Sequence, residues 1–299
     1  MSNRSRARFW LTIVVLALVT GSAWAEVCKG SKVKQADLAQ YDQEVNLSQA
    51  EVDTALETHL PFGQPACPRL LPQREYILCY DPDQRLTLWA GYLLRAEDLV
   101  KATRLDAFRT DPRLTDTESA HCADYAGSSY DRGHVVPRDD MNRTPAVQAN
   151  TFFLSNMTPQ TPNLNQGMWR WLEELVRTYV STYSRVYIIS GSIFTTDRTV
   201  PSGQIAVPSH FYKVLIRQPD NGDPLLLALV LPNQGVQLPL PPGTPIQGPR
   251  ITAAQADAYL KRRLVSVTRI EHLTGLVVLP GLTREELKKA VASELWPRN

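Results

Sequence analysis

Asp131-Arg132-Gly133-His134 is followed, after a gap, by Leu154-Ser155-Asn156-Met157-Thr158-Pro159-Gln160 and then by Asn163-Leu164-Asn165-Gln166-Gly167-Met168-Trp169. No other part of the chain gathers so many groups able to do chemistry. His134 comes directly after Gly133, which lets the backbone bend tightly, and two residues after Arg132, which can hold an anion near the imidazole. A histidine that is neutral near pH 7 can take a proton from water, the task of a general base. A lone histidine of this kind is more often a hydrogen-bonded loop residue, so position alone does not decide. Asn165 stands at the start of an expected helix, where Asn is a common N-cap. Its amide oxygen also suits a hard cation such as Mg²⁺, which keeps several waters and takes few protein ligands. Counted along an ideal helix, Glu173 lies about 80° around the axis from Asn165. That places its carboxylate where it can accept hydrogen bonds from metal-held water. Asp131 and Asp124 are rival ligands, since carboxylates bind hard cations well.

Working outward, apolar residues at Trp169, Leu172, Leu175, Val176 and Tyr179 follow the i, i+3, i+4 stripe and predict a helix from about Asn165 to Tyr179. Tyr76 to Tyr80, Leu86 to Leu94, Val186 to Ser190, Tyr212 to Ile216 and Leu225 to Leu231 read as strands, the first two joined by Asp81-Pro82-Asp83. Ser48-x-x-Glu51 is a capping box ahead of a short helix, Thr252 to Leu260 is another helix, and Gly275 stops a third. The Pro-rich stretch from Leu238 to Pro249 reads as a surface loop. Strands and helices without regular βαβ alternation predict one α+β domain on an antiparallel sheet. Residues 66–299 form that domain, and 26–65 are an N-terminal extension packed on it.

The composition of the 299 residues, 43% hydrophobic and 21% charged, excludes a disordered or fibrous chain. Arg4, Arg6 and Arg8 precede an apolar run from Phe9 to Val19, and Ala23-Trp24-Ala25 follows as a cleavage site. This pattern predicts a secretory signal peptide over residues 1–25, the run being too short to span a bilayer. Without it, 29 basic face 30 acidic side chains. A strongly basic nucleic-acid coat is therefore absent. Cys28, Cys67, Cys79 and Cys122 all follow the cleavage site, and an even number in an oxidising compartment predicts two disulfides, with three pairings open. Zinc is disfavoured, because no Cys-x-x-Cys pair or histidine at ligand spacing accompanies them. Ser190-Gly191-Ser192 lacks the spacing of a nucleophile elbow.

Taken together, these blocks resemble the DNA/RNA non-specific endonucleases, the ββα-metal or His-Me finger nucleases that include mitochondrial endonuclease G and secreted bacterial enzymes. The likeness runs in order from about Cys67 to Leu282. It takes in Leu88-Trp89-Ala90-Gly91-Tyr92, Arg104 ahead of Phe108-Arg109-Thr110-Asp111-Pro112, Asp124-Tyr125, the three blocks quoted first, Leu172-Glu173 and the segment Ile270 to Gly275. The resemblance implies an α+β fold with a central antiparallel sheet flanked by helices. It implies a Mg²⁺-dependent enzyme (Mn²⁺ as a substitute) that cuts DNA and RNA and leaves 5′-phosphate ends. It assigns His134 as general base, Asn165 as the single direct metal ligand and Glu173 as anchor of metal-bound water. Arg104 neutralises charge on the phosphate, Arg132 positions a neighbouring phosphate, and Asn156 holds the loop beside His134. Arg109 is the substitute for Arg104, and Arg170 stands one residue from the place where the family commonly has a phosphate-contacting basic residue.

Residues 95–143 hold 8 Lys/Arg against 10 Asp/Glu. That balance suits an enzyme touching mainly the sugar-phosphate backbone, whose contacts carry no base information. The competing reading is a nucleic-acid- or partner-binding module that keeps the fold without cleavage. Such a module has no need for both His134 and Asn165. The expected location is periplasmic or extracellular, with no membrane association once the signal is removed.

Overall fold

The computed structural model describes residues 25–234 and 252–298. The expected signal peptide and the Pro-rich stretch at 238–249 lie outside the described residues, apart from Ala25. Seven strands form one antiparallel sheet. In chain order these are β1 (Arg69–Pro72), β2 (Ile77–Asp81), β3 (Leu86–Arg95), β6 (Arg185–Ile193), β7 (His210–Arg217), β8 (Leu225–Pro232) and β9 (Leu264–Val265), and they lie in that same order across the sheet. The two missing numbers, β4 (Asp131–His134) and β5 (Met157–Gln160), pair antiparallel in a separate two-stranded sheet. The helices are α1 (Gln35–Tyr41), α2 (Gln49–His59), α3 (Pro145–Asn150), α4 (Arg170–Tyr183), α5 (Ala253–Lys261), α6 (Val267–Thr274) and α7 (Glu285–Lys289). The α+β architecture with a central antiparallel sheet flanked by helices is therefore as expected.

Period-two alternation divides the core between the two faces of the large sheet. On β7, Phe211 and Leu215 point to one face with α4 and α5, while Tyr212, Val214 and Ile216 point to the other with α2 and α6. The apolar stripe of α4 is buried as its spacing requires, with Trp169 just ahead of it against Phe211 at 5.6 Å between ring centroids. Ser48 and Glu51 form both halves of the capping box, and Gly275 ends α6 in the left-handed region at φ 73°.

Residues 26–65 are stitched to the rest at several points. Cys28 is bonded to Cys122 and Cys67 to Cys79, which resolves the pairing left open by sequence. His59 is buried, accepts the Leu93 N–H at Nδ1 (3.1 Å) and donates from Nε2 to the Arg74 carbonyl (2.8 Å). Leaving water lowers its pKa to about 4, so it serves as a neutral bridge between α2 and β3.

Besides the short elements β1, β5, β9, α1 and α7, which the sequence pattern did not mark, three elements depart from the sequence reading. The segment Asp131 to His134, read as a bent loop, is a strand: the charged, glycine-containing tetrapeptide has no strand propensity, and its partner lies some distance along the chain. The start of the long helix is a wide turn with i→i+5 bonding over Leu164–Trp169, with Gly167 outside helical geometry, and the α-helix proper begins at Arg170. The short helix α3 carries too few apolar residues to show a period, and Thr144 and Pro145 are its start signals.

Gly191 explains why β6 can sit at the centre of the sheet. It lies between Trp89 on β3 and Tyr212 on β7, and a Cβ there would approach the Leu88 carbonyl oxygen to 2.3 Å and the Tyr212 ring to 2.8 Å. Backbone on one side and a buried ring on the other leave no room to shift. Gly191→Ala should destabilise the protein by about 1–3 kcal/mol through overpacking. Urea unfolding checks this, and an unchanged midpoint would contradict it.

Candidate active site

Two backbone devices fix the position of His134. The first is the β4–β5 pair, in which His134 faces Met157 and Gly133 faces Thr158. A Cβ on Gly133 would lie 2.3 Å from the buried Gln160 side chain, which would have to move to admit it. The second is Asn156, which is fully buried. Its Oδ1 accepts the Val136 N–H at 3.0 Å, and its Nδ2 donates to the carbonyls of Val136 (3.0 Å) and Thr151 (2.8 Å). The side chain thus acts as a backbone splint for the residues just after His134.

The imidazole packs edge-on against Phe152 at 4.9 Å and tilted against Phe108 at 6.0 Å. Arg104 lies over the Phe152 ring at 5.2 Å and Arg132 over the Phe108 ring at 4.4 Å. Both arginines are therefore held by the same aromatic pair that holds the histidine. His134 Nε2 has no hydrogen-bond partner among the described residues. Burial, followed by the charges of Arg104 and Arg138, lowers the pKa of His134 to about 3. The imidazole is therefore neutral near pH 7.

His134 opens on a cavity of about 410 Å³ that also receives Arg104, Arg132, Arg138, Asn165, Arg170 and Glu173. A neighbouring cavity of about 570 Å³ shares Arg104, Arg132, Asn165 and Gln166 and adds Phe108, Tyr125 and Tyr130. Asn165 Nδ2 donates to Asp131 Oδ2 at 2.8 Å, and Gln166 Nε2 reaches the same oxygen at 2.8 Å. A carboxylate accepts only, so Asp131 orients the Asn165 amide with its nitrogen inward and leaves the carbonyl oxygen for another partner. Asp124 is buried and accepts the His121 backbone N–H at 2.8 Å, outside the lining of the 410 Å³ cavity. In this structure Asp131 engages the amides of Asn165 and Gln166, and Asp124 caps a turn.

Glu173 lies under the cavity floor in a cluster of charges. Burial raises its carboxyl above the usual range, Lys213 and Arg177 oppose that rise, and Asp140 and Asp139 add to it. Asp140 has its own partners, the Tyr92 hydroxyl at 2.8 Å and Arg177 at 2.9 Å.

The fold brings His134, Asn165, Glu173, Arg104, Arg132 and Arg170 to one cavity, with Asn156 behind it. Arg170 is exposed and paired with Glu174 at 3.0 Å. Arg104 is half-exposed and paired with Asp106. Arg109 is a correction to the expected substrate contacts. It is fully buried, bonded to Asp42 (2.9 Å), the Ala149 carbonyl (2.7 Å) and Asn150 Oδ1 (2.6 Å), and stacked 3.9 Å from the centre of the Phe153 ring. With its donors used internally it ties Asp42, just after α1, to α3 and cannot meet substrate. Sequence reasoning passed over Arg138, Asp139 and Gln166, which also line the cavity. Adjacency to His134 and Asn165 was the available signal for them.

The donor set suits a hydrated divalent cation. Among the described residues no three His, Cys, Asp or Glu side chains gather as a metal cage. A free amide oxygen at Asn165 with Glu173 on the same cavity matches the sparse protein ligation that Mg²⁺ prefers.

Comparison with known proteins agrees with this geometry. The profile of the DNA/RNA non-specific endonuclease family matches residues 58–285. The chain is 33% identical over 251 residues to mitochondrial endonuclease G of Homo sapiens, covering 78% of this chain and 77% of that one. It is also 33% identical over 201 residues to nuclease C1 of Cunninghamella echinulata var. echinulata, covering 62% and 80%. The fold matches a chain in the crystal structure of the EndoG/EndoGI complex with a TM-score of 0.66 and 25% identity, over 79% of this chain and 95% of that one. The protein is a nuclease and belongs to the DNA/RNA non-specific endonuclease family.

Proposed function

We propose that this nuclease hydrolyses internal phosphodiester bonds of both DNA and RNA, with His134 as general base and a Mg²⁺ ion held at Asn165, leaving 5′-phosphate ends. The observation that carries this reading is one cavity lined by a neutral histidine, an asparagine whose amide nitrogen Asp131 engages, and several guanidinium groups. Neutral His134 takes the proton of the attacking water. Arg104 and Arg132, braced on Phe152 and Phe108, lie where they can bind phosphate oxygens and offset charge as it develops there. Glu173 accepts hydrogen bonds from water held at the cation. A bound divalent cation, with Mn²⁺ as a substitute for Mg²⁺, supplies Lewis-acid polarisation of the phosphate and stabilises charge on the leaving oxygen. Backbone contacts of this kind read no bases, which supports action on either nucleic acid.

The N-terminal pattern and the two disulfides support a periplasmic or extracellular location. No helix among the described residues is long and apolar enough to cross a membrane. N-terminal sequencing of exported protein should begin at Glu26, and thiol titration under denaturing conditions should find no free thiol. Recovery of uncut chain with four reactive thiols would contradict this.

Plasmid and RNA should both be cut with Mg²⁺, and EDTA should stop cleavage. His134→Ala should lower turnover about 10²- to 10⁴-fold while the fold persists. Asn165→Ala should abolish cleavage yet leave substrate binding, because the arginine contacts survive, and Glu173→Ala should be intermediate. Near-normal cleavage by folded Asn165→Ala would overturn the metal assignment.

The protonation state of the base can be followed directly. In NMR spectra of labelled histidine, the His134 ring should stay neutral as pH falls through 6.5 and take up its proton only toward about 3. The depressed value favours the neutral form in the folded state over that whole interval. Titration of His134 near 6.5 in the folded protein would exclude the burial described above.

A further inference from the structure

Lys213 is fully buried on β7 and has no part in the chemistry described so far. The only hydrogen bond of its ammonium among the described residues is a long one, 3.4 Å to the Ser190 hydroxyl. A buried ammonium with so little compensation is costly, and such groups are retained only where a countercharge meets them. The side chain leaves β7 on the face of Phe211 and Leu215, toward the underside of α4, and its Nζ lies 4.7 Å from the centre of the Trp169 ring. Glu173 is four residues beyond Trp169 and therefore one turn further along the same helical face. The charged groups acting on Lys213 are Glu173, Asp140 and Arg177, and those acting on Glu173 are Lys213, Asp140, Arg177 and Asp139. Asp140 and Arg177 already pair with each other at 2.9 Å. Asp139 is paired with Arg138 at 2.5 Å. Lys213 and Glu173 form no direct ion pair within 4 Å, and each is the strongest opposite charge acting on the other through space.

We propose that Lys213 is a positioning residue whose buried ammonium, reaching under Trp169 from the central sheet, is the countercharge that holds the Glu173 carboxylate on the cavity floor as an acceptor for cation-bound water. This inference rests on the role proposed for Glu173. Burial lowers Lys213 and raises Glu173, and each is the strongest attractive charge acting on the other, in keeping with the placement. The arrangement also accounts for the location of a lysine in the middle of an otherwise apolar strand face. It connects the central sheet to the cavity through charge, without touching substrate.

A double-mutant cycle tests it, using wild type, Lys213→Met, Glu173→Gln and the combined variant. In EDTA, where no cation contributes, Lys213→Met should lower the urea midpoint in the wild-type background and raise it in the Glu173→Gln background. The sign reverses because removing either partner strands a buried charge, whereas removing both does not. With Mg²⁺ and plasmid, Lys213→Met should lower kcat about 10- to 100-fold, the range for loss of an outer-shell partner, with KM little changed. In the Glu173→Gln background it should cause no further loss. Equal shifts of the midpoint in both backgrounds, or additive losses in kcat, would overturn the proposal. Wild-type kcat in Glu173→Gln would instead remove the role of Glu173, while the urea cycle would still decide whether the two charges are coupled. Should Lys213→Met fail to fold, Lys213→Gln keeps a donor for Ser190 without the charge, and the same cycle applies.

Discussion

Asn156 makes three hydrogen bonds to the main chain from a side chain with no exposure to water, and the position of the site depends on them. Each such bond contributes about 0.5–1.5 kcal/mol net, but leaving its buried partner unsatisfied costs about 1–3 kcal/mol. The splint therefore tolerates no partial occupancy. It fixes Val136 and Thr151, the β4–β5 pair fixes His134, and Phe152 follows Thr151 directly in the chain. Phe152 is the ring on which both His134 and Arg104 rest. One amide thus determines the spacing between an imidazole and a guanidinium that share no hydrogen bond.

Electrostatics in the site are arranged by excess of one kind of group over another at each depth. Arginines dominate the mouth, where solvent screens them and a phosphate can replace their carboxylate partners Asp106 and Glu174. Their positive field, added to burial, keeps the histidine neutral and so able to act as a base. Deeper in, carboxylates gather at Asp140 and Glu173, and the compensating charges come from Arg177 on α4 and Lys213 on the central sheet. Asp131 belongs to neither layer. It spends both of its known contacts on the amides of Asn165 and Gln166 and so decides which atom of Asn165 faces the cavity. The wide turn over Leu164–Trp169 lets Asn165 reach Asp131 while the helix after it keeps its apolar stripe on the sheet.

Several features were legible in sequence because each depends on local order. The α4 stripe and five of the seven strands of the large sheet read from hydrophobic period, and the capping box at Ser48 and the glycine stop at Gly275 from local end signals. Two disulfides could be expected from four cysteines after the expected signal peptide. His134, Asn165 and Glu173 were readable as chemistry, and ordered motif blocks joined them to one family. Arg109 shows the limit. Its motif suggested a substrate contact, but an arginine reads the same whether its guanidinium meets water, phosphate or the buried carbonyl of Ala149. Only burial separates these cases.

By itself, then, the sequence determined the family, the α+β class and which residue types carry the chemistry, because these follow from composition, short periods and motif order along the chain. Tertiary structure decided the rest. The cysteine pairs, the strand formed by Asp131–His134, the splint by Asn156, the orientation of Asn165 by Asp131 and the burial of Lys213 beneath Trp169 all join residues distant in the chain. Pairings of that kind depend on which surfaces meet once the core closes, and no local period or propensity records it.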